Sequence, residues 1–441
     1  MPGSPGAMCR STTMPEPPEM ASALLDSIFA GRAADASTVR RDAIAALRRD
    51  GLPGARNEGW KYTSLRALDQ RRLVDGDAAA GTRAVDAATI ALPEIEGPRL
   101  VFVNGVFRPD LSDRRALAGV EMIVLAERPD VLAWMLDVTA TTDADAFVRM
   151  NTALVAEGVV LRVATSVRVA EPLHLVFAGT PTEAEFVWAA RLRVELGEGA
   201  SLQLIEHHLG AGAHLGNLVA DYALAAHARL NLVQVQDASE TATLIRRGTF
   251  RLEQEALLSA HTLEIGAQMT RHDIRVELAG RGARLWSRGV FALHGRQHAD
   301  THLDVRHDAR DTACDIVWRG VADQRSRGVF HGAITIAEGA DGADAQLSNK
   351  NLLLSAQAEI DTQPVLEIHA DEVKAAHGAT VGQLDERALF YLRSRGLPLE
   401  TARRMLVTAF CSAALSEIAP AALREHMDAR LAARLPLTTD A

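Results

Sequence analysis

Between residues 158 and 367 the sequence repeats one pattern, in which short segments of alternating apolar and polar residues are separated by glycine-containing turns. Residues 191–196 alternate strictly, a Gly-Glu-Gly turn follows at 197–199, and a new alternating segment begins at Ser201. Alternation with a period of two is typical of a half-buried β-strand. Because no long amphipathic helix interrupts the run, the pattern predicts a mainly β structure over this part of the chain.

Many short strands joined by glycine turns fit three architectures: a pair of sandwiches, a large barrel, or a stacked β-solenoid. The solenoid is favoured because the run contains no helix or linker, and because Gly-Ala turns recur at residues 199–200, 282–283 and 339–340. No strict repeat length is visible in the sequence. The residues alone therefore favour a solenoid without excluding the other two folds.

Helical patterns flank the strand-rich region on both sides. Residues 21–99 predict a mostly helical N-terminal domain that begins with a helix near residues 21–50, and residues 100–375 form the predicted β core. Residues 376–441 predict a helical C-terminal domain, in which Asp385 can cap the first helix and Pro398 and Pro420 begin the next two. Residues 1–20 are rich in proline and glycine and predict a disordered leader rather than a signal peptide.

Charge and cysteine content argue against several classes of protein. The chain has 47 basic and 57 acidic residues and a net charge of −10, without a long basic block, so we expect no nucleic-acid partner and no anionic membrane partner. The three cysteines lie far apart, which favours a reducing cytoplasm. No C-x-x-C motif occurs, so the chain shows no cysteine set of its own for an iron–sulfur cluster.

Motifs for nucleotide binding or nucleophilic catalysis are absent from the sequence. Four histidines, at positions 294, 298, 302 and 307, invite comparison with a metal site, but the Gly295-Arg296 turn interrupts the run, and we do not predict a metal there. His207 and His208 are adjacent on a predicted strand and should face opposite sides.

Cys314 and Cys411 are expected to be buried structural thiols. Residues 56–63 predict a loop held by Trp60.

Several uncommon strings resemble the SufB/SufD family of iron–sulfur cluster assembly proteins. They are GVFHG at 328–332, NKNLLLS at 349–355, DTQP at 361–364 and HGATVGQLDERALFYLRSRG at 377–396. QHAD at 297–300 and WKYT at 60–63 extend the resemblance over the chain from about residue 55 onward. The string HGATVG followed by LFYLRSRG is the form found in the SufD members of the family.

This resemblance implies a right-handed parallel β-helix between helical N- and C-terminal domains. It also implies a non-catalytic scaffold subunit that works in a complex with SufB and two copies of the ATPase SufC. By analogy, the subunit pairs with SufB through the β-helices and docks the ATPase with its C-terminal helices. The docking candidates in this chain are Phe390, Tyr391, Arg393, Arg395 and Gly396.

His377 is the candidate ligand for iron or a nascent cluster at the SufB interface. A neutral imidazole can bind metal, and Gly378 and Gly382 permit a sharp turn beside it. The resemblance implies a transient iron or iron–sulfur cluster shared with SufB, no cofactor held stably by the chain alone, and a possible homodimer in isolation. Many SufD proteins have Cys-Ser where Ala375 and Ala376 stand here, so any thiolate is expected from SufB.

Two other functions stay open at the level of sequence. The first is a SufB-like scaffold that carries a cluster without a partner. The second is a β-helix enzyme that acts on a polysaccharide, although such enzymes are usually secreted and no signal peptide is visible in this sequence.

Overall fold

The computed structural model describes residues 22–30, 32, 37–75, 85, 92, 95–139 and 145–435. The predicted leader at residues 1–20, with Cys9, lies outside these residues. The helices are α1 Ala23–Ile28, α2 Thr38–Asp50, α3 Arg66–Asp69, α4 Pro129–Thr139, α5 Ala146–Leu154, α6 Glu386–Ser394, α7 Leu399–Leu415 and α8 Ala421–Arg434, with 3-10 turns at Glu58–Trp60 and Leu125–Glu127.

The strands form a parallel β-solenoid of about eight turns, as the sequence pattern favours. They are β1 Val74–Asp75, β2 Arg99–Val103, β3 Val106–Phe107, β4 Val120–Val124, β5 Glu157–Val163, β6 Leu173–Gly179, β7 Phe186–Leu196, β8 Ser201–Gly210, β9 His214–Leu224, β10 Arg229–Ala238, β11 Thr243–Leu252, β12 Leu257–Glu264, β13 Met269–Leu278, β14 Arg284–Leu293, β15 His298–His307, β16 Ala313–Ala322, β17 Arg327–Ile336, β18 Asp344–Leu353, β19 Glu359–Ile368 and β20 Lys374–Gly382.

Successive strands alternate between two sheets. The odd-numbered strands from β5 to β19 stack in sheet A, and the even-numbered strands from β6 to β20 stack in sheet B. The first end of the solenoid is closed by antiparallel pairs, β4 on β5 and β3 on β2. Stacking of this kind pairs the backbone groups of each strand with the turns before and after it, so only the two ends have unpaired edges.

The solenoid interior is a continuous apolar core to which both sheets contribute alternate residues. Leu204, Leu232, Ile316 and Leu347 are examples from sheet B, and each is at most 4 % exposed. Alternation along each strand sends the intervening side chains to the outer faces. The outer faces are therefore where the terminal helices can pack.

The N-terminal helices cover the outer face of sheet A near its first end. Buried residues of α1, α2, α4 and α5 cluster with Val160, Val187, Leu215 and Ile245 from the strands. The predicted helix at residues 21–50 is two helices, because α1 ends at Ile28 and α2 begins at Thr38. Two helices, α4 and α5, also lie beyond residue 100, within the stretch that the sequence assigns to the β core.

The C-terminal helices cover the outer face of sheet B. Cys411 of α7 and Leu423, Met427 and Leu431 of α8 are completely buried against strand residues such as Val233. Asp385 caps α6 through Arg387 N, as the sequence predicts. Within the described residues no helix is both long enough and apolar enough to cross a membrane.

Candidate functional site

The last turn of the solenoid, formed by β19 and β20, is an open end. These strands stand at the outer edges of sheets A and B, and within the described residues no further strand pairs with them. Inner-row side chains that are covered in earlier turns are exposed here: Ile368 is 43 % exposed and Val381 is 42 % exposed. An uncovered strand edge beside apolar side chains is a template for pairing with another chain.

His377 lies on β20, which crosses the predicted domain border at residue 375, so this histidine belongs to the solenoid rather than to the helical C-terminal domain. It pairs in register with Leu347 of β18, and Leu347 is part of the solenoid interior. Strand partners in register face the same side of a sheet. The imidazole of His377 therefore lies on the inner face of the last turn, and it is exposed because no further turn covers it.

A polar layer lies on the inner face one strand below β20, and sequence reasoning missed it. Asn351 Nδ2 donates to Asn349 Oδ1 (2.6 Å) and to the carbonyl oxygen of Thr380 (3.1 Å). The hydroxyl of Thr362 on β19 also donates to Asn349 Oδ1, at 2.8 Å. The sequence does contain a signal for this layer, the N-x-N spacing of Asn349 and Asn351. This spacing places two side-chain amides at inward positions, where apolar residues are usual. This network ties β18, β19 and β20 together, and it begins two residues along β18 from Leu347, the partner of His377 in register.

Helix α6 follows β20 and exposes the predicted docking residues. Phe390 is 72 % exposed and Tyr391 is 57 % exposed. The guanidinium carbon of Arg395 lies 5.3 Å from the centre of the Tyr391 ring, and Arg393 lies in the last turn of the helix. Gly396 ends the segment with a φ of 90°, a conformation that side chains disfavour.

The docking candidates lie together on and just after helix α6, where Tyr391 and Arg395 are in contact. His377 lies apart from them, on β20. Between α6 and the solenoid lies a pocket whose lining includes Leu354, Leu384 and Leu389. His377 does not line this pocket. The candidate site therefore has two parts, an inner-facing histidine on the open turn and an exposed aromatic helix beside it.

The described cysteines are buried structural thiols, as the sequence predicts. Cys314 is 2 % exposed, with its sulfur 3.3 Å from His307 Nε2, and Cys411 is completely buried. Burial raises the pKa of both thiols to about 12. A thiol in that state is a poor metal ligand, because the thiolate is the form that binds.

The histidines of residues 294–307 do not converge. His302 lies on the outer face of β15 and stacks on His331 at 4.7 Å, whereas His307 faces inward to Cys314. His207 and His208 face opposite sides, as predicted: His207 stacks on His174, and His208 stacks on Phe177. Over the described part of the chain, no three His, Cys, Asp or Glu side chains are grouped to hold a metal ion.

Two family models together match almost the whole of the described chain. Residues 179–410 match the SufBD core domain of the SUF system for iron–sulfur cluster assembly, and residues 22–175 match the N-terminal region of SufBD proteins. The chain belongs to the SufB/SufD family. The core-domain match spans the solenoid from the end of β6, the open turn and helix α6, so the candidate site lies within the part that defines the family.

Individual members of the SufB/SufD family give the same result. The iron–sulfur cluster assembly protein SufD of Escherichia coli is 30 % identical over 89 % of this chain and 92 % of its own length. A SufBD family protein of Synechocystis is 28 % identical over 92 % of this chain and 91 % of its own length. One from Mycobacterium tuberculosis is 29 % identical over 88 % and 90 %. The chain is a homologue of the cluster assembly protein SufD.

Proposed function

We propose that this chain is the SufD-type scaffold subunit of the SUF machinery, which pairs with SufB and docks the ATPase SufC while clusters are built. The observation that carries the proposal is the open last turn, where strand edges and the inner-row residues Ile368 and Val381 are left uncovered. A second β-solenoid can continue the stack there and cover both. A cytoplasmic location and a non-catalytic role, with ATP hydrolysed by SufC, belong to the same proposal.

Helix α6 is the proposed docking surface for SufC. Two large aromatic side chains, Phe390 and Tyr391, are exposed together on one short helix, with Arg393 and Arg395 beside them. Aromatic residues and arginine are the types that contribute most to binding at protein interfaces. Their exposure in the single chain supports a role in contact with a partner rather than in packing of the fold.

His377 is the proposed contribution of this chain to the binding of iron or a nascent cluster, which is the cargo of the reaction. A single imidazole on the inner face of the open turn supplies one ligand, and a solenoid that continues the stack could supply the others. The buried state of Cys314 and Cys411 argues against a SufB-like scaffold that holds a cluster alone. In the proposed complex the thiolates come from SufB.

Co-expression with SufB and SufC tests the proposed assembly. We expect one complex on size-exclusion chromatography that contains all three proteins, while the isolated chain hydrolyses no ATP and retains little iron. The exposed open turn also allows a homodimer when SufB is absent. If the three proteins elute separately at every concentration, the assembly proposal is wrong.

The ligand role is tested by His377→Ala in the assembled complex, with His369→Ala as the matched control. His369 is also exposed and follows β19 in the same turn. After anaerobic reconstitution we expect His377→Ala to lower the visible cluster absorbance several-fold, and His369→Ala to leave it unchanged. Equal absorbance in both variants would exclude a role for His377 in cluster formation.

The docking role is tested by Phe390→Ala with Tyr391→Ala, and by Met405→Ala as the control. Met405 is 49 % exposed on the neighbouring helix α7. Removing two interface aromatics should weaken SufC binding by at least about tenfold, while SufB pairing and the melting temperature stay the same. An equal loss of SufC binding in the Met405 variant would show that the contact with SufC is not specific to α6.

A further inference from the structure

A groove of about 380 Å³ lies where residues 55–71 cross the start of strands β11, β13, β15 and β17 on sheet A. It is away from the His377 imidazole and from helix α6. Four cations and two aromatic rings face it: Lys61, Arg71, Arg296, Arg327, Trp60 and Tyr62. Among the described residues no aspartate or glutamate lines it. This is a concentrated positive surface in a chain whose net charge is −10.

The positive charge of the groove is only partly compensated. Arg71 pairs with Glu185 at 2.9 Å, and Arg327 pairs with Asp361 at 2.7 Å. Lys61 and Arg296 are exposed, and within the described residues neither has a carboxylate within ion-pair distance. At least two cations are therefore free to bind an external anion, and the other two add to the local positive potential.

Aromatic rings form the other feature of the groove. Trp60 packs on Phe147 with ring centres 5.2 Å apart, and the guanidinium carbon of Arg271 lies 4.5 Å from the centre of the Trp60 ring. Tyr62 lies 5.9 Å from the guanidinium carbon of Arg327. Lys61 Nζ also lies 5.2 Å from the centre of the Tyr62 ring, so Tyr62 stands beside two of the groove cations, and a ligand stacked on it can meet a ring and positive charge together.

The segment that carries these rings is fixed on the solenoid before any ligand arrives. Thr63 donates a hydrogen bond to the carboxylate of Asp300 and lies 2.8 Å from His298 Nε2. Arg271 donates to the carbonyl oxygen of Gly59 at 2.7 Å. A binding site held in place in this way loses little conformational freedom when it is filled, which favours affinity.

We propose that this groove binds a small anion that carries a planar ring, of the nucleoside phosphate class. Lysine and arginine form charge-assisted hydrogen bonds with phosphate oxygens, and a base can stack on tyrosine. The volume lies within the range of small-molecule sites, about 300–1,000 Å³. Arg327 at the edge of the groove pairs with Asp361 of β19, but no residue of β19, β20 or helix α6 lines the groove, so this proposal does not depend on the scaffold role.

Three probes separate the two parts of the proposed ligand. Calorimetric titration of the full chain with AMP, adenosine and ribose 5-phosphate compares the whole nucleotide with its base portion and its phosphate portion. We expect AMP to bind at least about tenfold more tightly than either fragment, and more weakly at high salt because charge contacts are screened. If AMP shows no binding at millimolar concentration, or binds no better than ribose 5-phosphate, the proposal is wrong.

Two variants and one control locate the site. Arg296→Gln and Lys61→Gln each remove an exposed cation and should weaken AMP binding about tenfold without changing the melting temperature. Arg229→Gln, which removes an exposed arginine at the start of β10 on sheet B, should leave binding unchanged. An equal loss in all three variants would indicate general charge attraction and overturn the site. Failure here would leave the SufB and SufC co-elution test unaffected.

Discussion

At the scale of single residues, the buried charge of Asp300 helps to hold the N-terminal segment on the solenoid. This carboxylate is 1 % exposed, lies 2.6 Å from Arg271 Nη1 and accepts a hydrogen bond from Thr63. Burial alone would raise its pKa, but His302, Arg271 and Thr63 lower the pKa of Asp300 to about 2. The carboxylate is therefore ionised at neutral pH and balances a buried guanidinium.

Asp300→Ala should lower the free energy of unfolding by about 3–5 kcal/mol, because it leaves the buried Arg271 with fewer compensating charges. Urea denaturation followed by circular dichroism measures this change. Asp304→Ala, on the same strand but with a side chain that is 44 % exposed, is the control and should cost less than about 1 kcal/mol. Similar losses in the two variants would contradict the importance of the buried charge.

The contact between Thr63 and Asp300 shows what single-sequence reasoning cannot reach. The sequence predicts a loop held by Trp60, and the structure confirms that Trp60 packs on Phe147. The hydroxyl of Thr63 finds its partner 237 residues away, on a strand whose position follows from the stacking of all earlier turns. Local patterns identify an element and its buried face, but they contain no information on which distant element covers that face.

At the scale of elements, α8 and α7 show where helix patterns are reliable. Leu423, Met427 and Leu431 of α8 are buried, and their spacing of four residues places them on one face of the helix. On α7 the apolar residues are less clearly sorted, because Met405 is 49 % exposed while Val407 is buried. Helix α7 contains apolar residues on more than one side, so its sequence does not determine which side packs on sheet B.

Leu431→Ala tests how strongly α8 is bound to sheet B. Removing a completely buried leucine leaves a cavity, and the free energy of unfolding should fall by about 2–5 kcal/mol. Glu425→Ala, on the exposed side of the same helix, should change it by less than about 0.5 kcal/mol. Alanine is the strongest helix former, so neither substitution lowers helix propensity and thermal denaturation of both variants measures the lost packing. Equal melting temperatures would rule out a packing role for Leu431.

At the scale of the whole molecule, the solenoid could be predicted from the sequence, but its open end could not. Alternation and glycine turns occur in the last turn as in the others, so the strands β19 and β20 look like interior strands. Only their position in the stack leaves Ile368 and Val381 uncovered. The position of His377 on the inner face likewise follows from its register with Leu347 rather than from its neighbours in sequence.

The open end predicts self-association of the isolated chain when SufB is absent. Replacing Ile368 and Val381 together by lysine should abolish concentration-dependent dimerisation in analytical ultracentrifugation, because two charges would be placed at the edge where a second copy pairs. Trp286→Lys, at a residue 44 % exposed on the outer face of sheet B, should have no effect. A chain that is monomeric at all concentrations would exclude the homodimer.

The whole molecule should also lose stability in mild acid, because many of its histidines are buried in the neutral form. Burial lowers the pKa of five of them from the ordinary value of 6.5 to about 4. These five are His174, His208, His214, His261 and His307. Between these two values the unfolded chain binds more protons than the folded chain, so stability falls as pH falls. Above pH 6.5 these histidines are neutral in both the folded and the unfolded chain, so they add no pH dependence to the stability.

Urea midpoints measured at pH 7.5 and pH 5 test this linkage. Each unit of pKa shift corresponds to about 1.4 kcal/mol. At pH 5, about 1.5 units below the ordinary histidine pKa, each group should lower the free energy of unfolding by about 2 kcal/mol, and the five together by several times that amount. His307→Gln removes one of these groups and should reduce the difference, whereas His227→Gln, at an exposed histidine, should not. A midpoint that is the same at both pH values would show that the buried histidines do not control acid stability.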